Sequence, residues 1–183
     1  KPFPSMPIYF FDDKDNKKYI KSYFEKFKGV WAHGDFACIT KNNGLIIFGR
    51  SDATLNSGGV RIGTAEIYRQ LEKFENISES VVIEKKLAND TEIVLFIVLK
   101  KDHALNQDLT KEIKSQLKKN ASPRHVPNQI IAVEDIPRTI NGKISELAVK
   151  AAVEGRKITN LEALANPESI KVFCNINQEL NGH

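Results

Sequence analysis

A short stretch early in the chain combines glycines and arginines in a way that suits a phosphorylated ligand. Gly58 and Gly59 lie between Arg50 and Arg61, and Gly63 follows. Glycine lets another molecule approach the main chain closely, and arginine presents a rigid fork of donors to phosphate and ribose oxygens. On this stretch alone, a glycine-rich hairpin with two solvated arginines is an equally good interpretation.

Two other positions carry groups that could act on a nucleotide. Asp35 directly follows a glycine, and such a carboxylate can accept hydrogen bonds from both vicinal hydroxyls of a ribose. Lys143 ends the loop 137–143, and its compact charge could meet a phosphate oxygen as negative charge builds there. Taken singly, a turn aspartate and a solvated lysine are the simpler interpretations.

Composition restricts the class of protein. The 183 residues suffice for one ordinary domain, or for one small domain and part of another. With 41% hydrophobic and 27% charged residues, the chain has the mixture of a soluble globular protein. Its net charge of +4 suits an anionic ligand, but no run of lysines indicates a nucleic-acid partner. No segment resembles a membrane span or a signal peptide, so we expect no membrane partner.

The cysteines and histidines do not indicate a metal site. Cys38 and Cys174 lie far apart, which favours reduced thiols in a cytoplasmic protein. The 4 histidines show no metal-ligand spacing, so we read them as structural or exposed.

The first 50 residues predict short strands and turns. We expect a strand over 7–11, an amphipathic helix over 19–27 and a hairpin of strands 36–40 and 45–48. These elements carry more aromatic side chains than they can bury, and the chain begins at Lys1 rather than at methionine. We therefore expect them to be the β-rich end of a larger domain in a longer protein.

Helices and strands alternate in the remainder, which predicts a small α+β domain with a central three-stranded sheet flanked by helices. Strands are expected over 80–84, 93–99 and 129–133, the second covered on both faces. Thr64 and Asp108 are expected to cap the first two helices, Ile144 to lie in the third, and Gly155 to end it. The tail 156–183 is expected to pack Leu161, Leu164 and Ala165 on the surface and to form a last helix with Ile170 and Phe173.

Together, the motifs resemble the carboxyl-terminal part of the adenylate-forming acyl-CoA synthetase superfamily. Gly34-Asp35, Gly49-Arg50-x-Asp52, Gly59-x-Arg61-x-Gly63-Thr64-Ala65-Glu66 and residues 137–143 follow the family's order and approximate spacing. The segment 63–66 is similar to the branch that activates acetate, propionate and acetoacetate. Segments 1–7, 122–127 and 166–168 look most like its acetoacetate-activating members.

The resemblance implies roles for four nucleotide-binding or catalytic residues. Asp35 would bind the ribose of ATP and of the acyl-adenylate, and Arg50 would contact the same ribose region. Arg61 would reach a nucleotide phosphate, and Lys143 would be the lysine of the adenylation step.

The resemblance also implies a hinge and a CoA site. Asp52 would be the hinge, and Gly58 and Gly59 would bind CoA, Gly59 lining the pantetheine tunnel. Val60 and Ser57-Gly58 depart from the acetyl-type pattern, which weakens the detailed CoA contacts there. Lys114, Lys118 and Arg124 could meet CoA phosphates, but a solvated surface is the better interpretation.

As a whole, the resemblance implies an acid–CoA ligase of two domains. Residues 1–51 would end the large amino-terminal domain, 52–155 would be the mobile carboxyl-terminal lid and 156–183 a helical extension. The substrates would be acetoacetate, ATP and CoA, with Mg²⁺ held mainly by the amino-terminal domain. The chain alone would be inactive, because it has no phosphate loop or acyl pocket.

Three alternatives stay open at this point. The acid could be acetate or propionate. The chain could come from a peptide-synthetase adenylation domain or an aryl ligase, although these usually differ around 63–66. It could also be a non-catalytic module that binds a nucleotide, CoA or a carrier protein.

Overall fold

The computed structural model of the protein describes residues 4, 6–57, 59–87, 90–158 and 160–181. The chain forms two compact units, Lys1–Asp35 and Phe36–His183. The functional boundary expected between residues 51 and 52 stays a prediction. Among the described residues, no helix combines the length and the apolar character needed to cross a bilayer.

The first unit contains one short helix, α1 (Lys17–Tyr23), within a cluster of aromatic rings. The indole of Trp31 stacks on Tyr23 with ring centroids 3.8 Å apart. The predicted helix over 19–27 was wrong at both ends. The chain turns back so that the carbonyl of Tyr23 accepts from the amide of Ala32 at 2.8 Å, and this contact replaces the next helical turn.

The strand predicted over 7–11 is also wrong. The ring of Phe10 packs edge-on against Tyr19 and Tyr23, while Ile8 and Phe11 are exposed. Within the described part of this unit no strand pairs with the segment, and of its aromatic residues Phe10 packs in the aromatic cluster.

The predicted hairpin is confirmed as β1 (Asp35–Ile39) and β2 (Leu45–Arg50). A second hairpin follows as β3 (Leu55–Ser57) and β4 (Val60–Ile62), paired antiparallel, as the interpretation of this stretch as a glycine-rich hairpin had it. Its buried residues Leu55 and Ile62 face one another at the base.

A three-stranded sheet forms the centre of the second unit, as predicted. β5 (Ile77–Lys86) pairs antiparallel with β6 (Thr91–Leu99), which pairs parallel with β7 (Gln129–Ala132). β6 is therefore the middle strand, and its apolar run is buried on both sides, as the sequence predicted.

Successive side chains of β6 point to opposite faces of the sheet and belong to two separate apolar clusters. Val94 and Phe96 point to a face covered by α4 (Glu146–Val153) and α5 (Ile170–Asn181), which we call the α4/α5 face. Leu95 and Ile97 point to the opposite face, covered by α2 (Thr64–Leu71) and α3 (Gln107–Asn120), which we call the α2/α3 face. Burying each of these side chains contributes roughly 1.5–3 kcal/mol. The predicted α+β class is confirmed.

Three helix starts differ from prediction. The N-cap of α2 is Gly63, and Thr64 is the first helical residue. The N-cap of α3 is Asn106, whose side chain accepts from the amide of Leu109 at 2.8 Å, while Asp108 lies inside the first turn. Ile144 precedes α4 because it pairs with Arg138 in a β-bridge.

Two glycines have backbone roles that the structure explains. A Cβ at Gly63 would overlap the carbonyl oxygen and Cβ of Phe48 on β2, so only glycine lets the start of α2 approach that strand. Gly155 has φ +65° just after α4. Its amide and that of Arg156 bond back to the carbonyls of Ala152 and Ala151, which ends the helix as predicted.

The tail packs its last helix on the α4/α5 face. Ile170 and Phe173 are buried as predicted, and Phe173 meets Phe96 edge-on at 5.0 Å. Leu164 is buried as well, whereas Leu161 and Ala165 are exposed rather than packed.

Candidate functional site

Lys143 lies on a tight hairpin of residues 138–144, here called the lysine hairpin. Its ends are joined by the bridge between Arg138 and Ile144. The amide of Thr139 donates to the carbonyl of Lys143 at 2.8 Å, and that of Gly142 donates to the carbonyl of Thr139 at 2.7 Å. Gly142 adopts φ +77°, which closes the turn. The side chain of Lys143 is exposed, so it can reach a ligand outside the hairpin.

The base of the lysine hairpin is fastened to the domain. Ile136, just before it, is fully buried. The amide of Ser145, just after it, donates to the carbonyl of Pro137 at 2.9 Å. The guanidinium of Arg138 pairs with the carboxylate of Glu79 on β5. The base of the hairpin is thus held by the domain, while the side chain of Lys143 is exposed to solvent.

A tyrosine–glutamate pair secures the start of α4. The hydroxyl of Tyr68 on α2 donates to Oε1 of Glu146 at 2.5 Å and accepts from the amide of Val82 on β5 at 3.2 Å. Burial, and next the Glu146 carboxylate, raise the pKa of Tyr68 well above its ordinary value of 10.0. The pair links three elements just behind Lys143, and we call it the Tyr–Glu strut.

The proposed hinge residue lies in a turn directly after β2. Arg50 donates through Nε and Nη2 to the two carboxylate oxygens of Asp52, each at 3.3 Å. The carbonyl of Arg50 accepts from the hydroxyl of Thr54 at 3.0 Å. The structure therefore brings two of the predicted site residues into one ion pair, about half exposed on each side.

The hinge pair acts electrostatically on the Tyr–Glu strut. Burial is the main cause that raises the pKa of Glu146 above its ordinary value of 4.5, and the charge of Asp52 raises it further. The charge of Arg50 opposes this shift. The charges of Asp52 and Arg50 thus act on Glu146, the first residue of α4.

The hairpin β3–β4, residues 55–62, carries the predicted CoA residues, and we call it the glycine hairpin. Gly59 has φ +79°, and a Cβ added there would meet nothing within 4 Å. Arg61 pairs with Asn56 across the strands and is exposed. Gly58 lies outside the described residues.

A buried carboxylate fastens the base of the glycine hairpin. Oε2 of Glu84 accepts from the amide of Asn56 at 2.6 Å and from its side-chain Nδ2 at 2.9 Å. The hydroxyl of Thr91 donates to the carbonyl of Asn56 at 2.9 Å, and Lys150 lies 3.9 Å from Glu84. Hydrogen bonds to a charged acceptor are among the stronger ones, so this anchor is firm.

Asp35 is the last residue of the first unit and the first of β1. Its Oδ2 lies 2.5 Å from Nδ1 of His33. The pairing orients the carboxylate that the sequence suggests for the ribose.

The lysine hairpin and the glycine hairpin rest on different apolar clusters. Ile136 and Ile144, which flank the lysine, belong to the apolar cluster of the α4/α5 face. Leu55 and Ile62, at the base of the glycine hairpin, belong to the cluster of the α2/α3 face. The bases of the two hairpins are therefore supported separately.

Sequence reasoning missed the residues that hold these hairpins, namely Tyr68, Glu84, Glu146 and Asn166. A charged residue at the end of the apolar run 80–84 was a visible signal for Glu84. Its partner Asn56 lies 28 positions away, and no local pattern connects the two. The same applies to Tyr68 and Glu146, which are separated by 78 positions.

Comparison with known proteins gives consistent relatives. Residues 68–143 match the AMP-binding enzyme C-terminal domain. The chain is 52% identical over 176 residues to the acetoacetyl-coenzyme A synthetase of Rhizobium meliloti, covering 96% of this chain and 27% of that protein. It is 42% identical to the acetoacetyl-CoA synthetase of Gallus gallus, with 96% and 27% covered.

A solved structure of an acetoacetyl-CoA synthetase is also similar to this chain. Acetoacetyl-CoA synthetase from Streptomyces lividans superposes with a TM-score of 0.88 at 36% identity, covering 98% of this chain and 27% of that one. The chain thus spans about a quarter of the length of the relatives that it matches. Residues 68–143 thus carry the AMP-binding enzyme C-terminal domain, and over nearly its whole length the chain is similar to a part of the acetoacetyl-CoA synthetases.

Proposed function

We propose that this chain is the carboxyl-terminal part of an ATP-dependent acetoacetate–CoA ligase. The reaction joins acetoacetate to CoA in two half-reactions, through an acyl-adenylate, and releases AMP and pyrophosphate. The observation that carries the proposal is the similarity of nearly the whole chain to acetoacetyl-CoA synthetases. The hairpins that carry Lys143 and Gly59 rest on different apolar clusters, which supports a separate role for each.

In the first half-reaction Lys143 is the adenylation lysine. The acid's carboxylate attacks the α-phosphorus of ATP, so two anions must meet. An ammonium held between them by the lysine hairpin stabilises the charge of the transition state, and preorganised donors of this kind are worth roughly 10²–10³ in rate.

In the second half-reaction the glycine hairpin replaces the lysine hairpin at the substrate. Gly58 and Gly59 line the path by which the CoA thiol reaches the adenylate. Rotation of the lid about Asp52 exchanges the two hairpins, and residues at such a hinge absorb the torsion change. The open space around Gly59 supports its role in the tunnel.

The nucleotide is bound by Asp35, Arg50 and Arg61. Asp35 and Arg50 contact the ribose, and Arg61 reaches a phosphate. Mg²⁺ accompanies ATP, and we assign its ligands to the large amino-terminal domain, which also supplies the acyl pocket. For that reason the chain alone is expected to be inactive.

In domain terms, residues 1–51 end the amino-terminal domain, 52–155 form the lid and 156–183 extend it. The amino-terminal domain of the same protein is then the lid's partner. Two free, exposed cysteine thiols support a reducing compartment, for which we propose the cytoplasm.

The first experiment identifies the acid. ATP–pyrophosphate exchange by the longer enzyme is measured with acetate, propionate and acetoacetate in turn. We expect acetoacetate to give the highest kcat/KM. A preference for acetate or propionate would identify the enzyme as another member of this branch. Exchange with none of the three acids would contradict the proposal that the enzyme is such a ligase.

The second experiment tests Lys143. Lys143→Ala in the longer enzyme should lower adenylate formation by roughly 10²–10³, because the cation at the transition state is lost. Thioester formation from supplied acyl-adenylate should be unchanged. Lys157→Ala removes another exposed lysine of the same unit and serves as the matched control. Equal loss of both half-reactions in Lys143→Ala would refute the assigned role.

A further inference from the structure

The tail of the chain pairs with the lysine hairpin along its outer edge. Residues 163–165, here called the tail strand, lie beside residues 138–140. The amide of Ile140 donates to the carbonyl of Ala163 at 3.0 Å, and the amide of Ala165 donates to the carbonyl of Arg138 at 2.8 Å. These bonds frame the β-bridge between Thr139 and Leu164. The first arm of the hairpin is therefore bonded on both sides.

Asn166, directly after the tail strand, is bonded through both ends of its amide. Its Oδ1 accepts from the amide of Arg138 at 2.8 Å. Its Nδ2 donates to the carbonyl of Ile136 at 3.0 Å and to Oδ2 of Asp135 at 2.5 Å. One side chain thus binds residues 135, 136 and 138, at the start of the hairpin and just before it. This use of both donor and acceptor requires an amide rather than a carboxylate.

The tail itself is held by packing rather than by these bonds alone. Leu164 is buried in the same apolar cluster as Ile136. Ile170 and Phe173 on α5 belong to that cluster as well, and Phe173 is fully buried. The tail strand is therefore a fixed support against which the hairpin rests.

We propose that Asn166 is a positioning residue for Lys143, and that the tail strand sets the location of the lysine hairpin. The proposal rests on the function proposed above for Lys143. Lysine has a flexible stem, so the backbone of its hairpin decides where the ammonium can reach. A misplacement of about 1 Å, even by a change distant from the chemistry, can cost about 10²-fold in rate.

The test measures both half-reactions in the longer enzyme. Asn166→Ala should lower adenylate formation by about 10- to 10²-fold, and leave thioester formation from supplied acyl-adenylate unchanged. The KM for ATP should change less than kcat, because the nucleotide contacts are not removed. The matched control is Asn175→Ala, which removes an exposed amide of α5 in the same tail, and it should leave both half-reactions unchanged.

A reciprocal exchange separates positioning from a general loss of structure. Asn166→Asp alone places a carboxylate beside Asp135 and should impair adenylation. Adding Asp135→Asn restores a hydrogen bond between the two side chains in the reverse direction, while Oδ1 of residue 135 can still accept from the amide of Ile136, as it does at 2.8 Å. Adenylation should recover only in part in the double variant, because the carboxylate at position 166 still faces the carbonyl of Ile136.

A measurement independent of activity follows the hairpin itself. Hydrogen exchange of the Ile140 amide, which bonds to the tail strand, should become faster in Asn166→Ala. The exchange of amides in β6 should not change.

Two outcomes would overturn the proposal. They are normal adenylation by Asn166→Ala and equal loss of both half-reactions in that variant. Each leaves the proposed function intact if Lys143→Ala still loses adenylation alone. Failure of the unaltered enzyme to form any acyl-adenylate would instead contradict the proposed function.

Discussion

At the scale of single residues, Gly59 shows how a backbone requirement and a functional requirement can be told apart. Residues with a side chain rarely adopt its φ of +79°, yet a Cβ added at Gly59 would meet nothing within 4 Å. Any other residue there is strained by its backbone but not by its neighbours in the chain. A size-dependent effect of substitution would therefore report on what enters that space from outside.

This gives a direct test of the CoA tunnel. Gly59→Leu should lower thioester formation from supplied acyl-adenylate by about 10²-fold or more, a loss typical of a misplaced reactant, and spare adenylation. Gly59→Ala carries the same backbone strain with a small side chain and is the matched control. Both half-reactions are measured in each variant. If the alanine and leucine variants lose thioester formation equally, the strain and not a blocked tunnel is the cause.

The sequence suggested candidate functional groups but not the residues that support them. Lys143, Gly59 and Arg61 could be proposed because their types and order carry information locally. Asn166 and Glu84 were not, because each acts through partners about 30 positions away. An asparagine before a proline reads as an ordinary helix start until the chain has folded.

At the scale of elements, the Tyr–Glu strut joins α2, β5 and α4. Val82 lies on β5, an edge strand of the sheet. Its amide donates to the hydroxyl of Tyr68, so a side chain takes the place of a neighbouring strand at this point. The Tyr–Glu strut therefore satisfies one backbone amide at the sheet edge and also holds the first turn of α4.

The strut predicts a pH dependence of stability. Burial raises the pKa of Glu146 above its ordinary value of 4.5, so between the unfolded and folded pKa values the folded state binds more protons than the unfolded state. The contribution of Glu146 to the free energy of unfolding must then fall as pH rises through this window. Glu146→Gln keeps an acceptor for Tyr68 and removes the titration.

Chemical denaturation of the chain at a series of pH values provides the measurement. The stability of Glu146→Gln relative to the unaltered chain should increase as pH rises above about 4.5 and then level off. Glu162→Gln, at an exposed glutamate of the tail, is the control and should show no such trend. A difference that is constant with pH would contradict a titrating strut.

The elements themselves followed from periodicity where the pattern was strong. The apolar run of β6 and the spacing of Leu109, Ile113 and Leu117 in α3 predicted a middle strand and a half-buried helix, and both are confirmed. Helix starts were wrong because several residues near each start can cap it, and tertiary contacts select one. The glycine hairpin stayed one of two interpretations of its stretch, because strands of only 3 residues each carry little periodicity.

At the scale of the whole molecule, the two hairpins have separate anchors, Asn166 for the lysine hairpin and Glu84 for the glycine hairpin. We therefore expect that each can be altered without the other. The proposed lid, which would serve two steps in turn, needs such independence, since it would present one hairpin while the other is idle.

The proposed hinge at Asp52 can be tested by restricting the backbone of that residue. Proline at position 52 fixes φ and should lower overall turnover, because the lid is held in one orientation. Asp52→Ala removes the same ion pair with Arg50 but leaves the backbone free, and should retain more turnover than Asp52→Pro. Steady-state formation of acyl-CoA by the longer enzyme measures both. Equal turnover by the two variants would argue against a pivot at this residue.

The close approach of Phe48 and Gly63 has a consequence for that motion. Phe48 comes before the proposed pivot and Gly63 after it, yet their backbones touch in this arrangement. The proposed swing about Asp52 would have to separate them, so we expect the contact to stabilise one orientation of the lid. Releasing it requires a ligand that binds the other pose more tightly by at least the free energy of the lost contact.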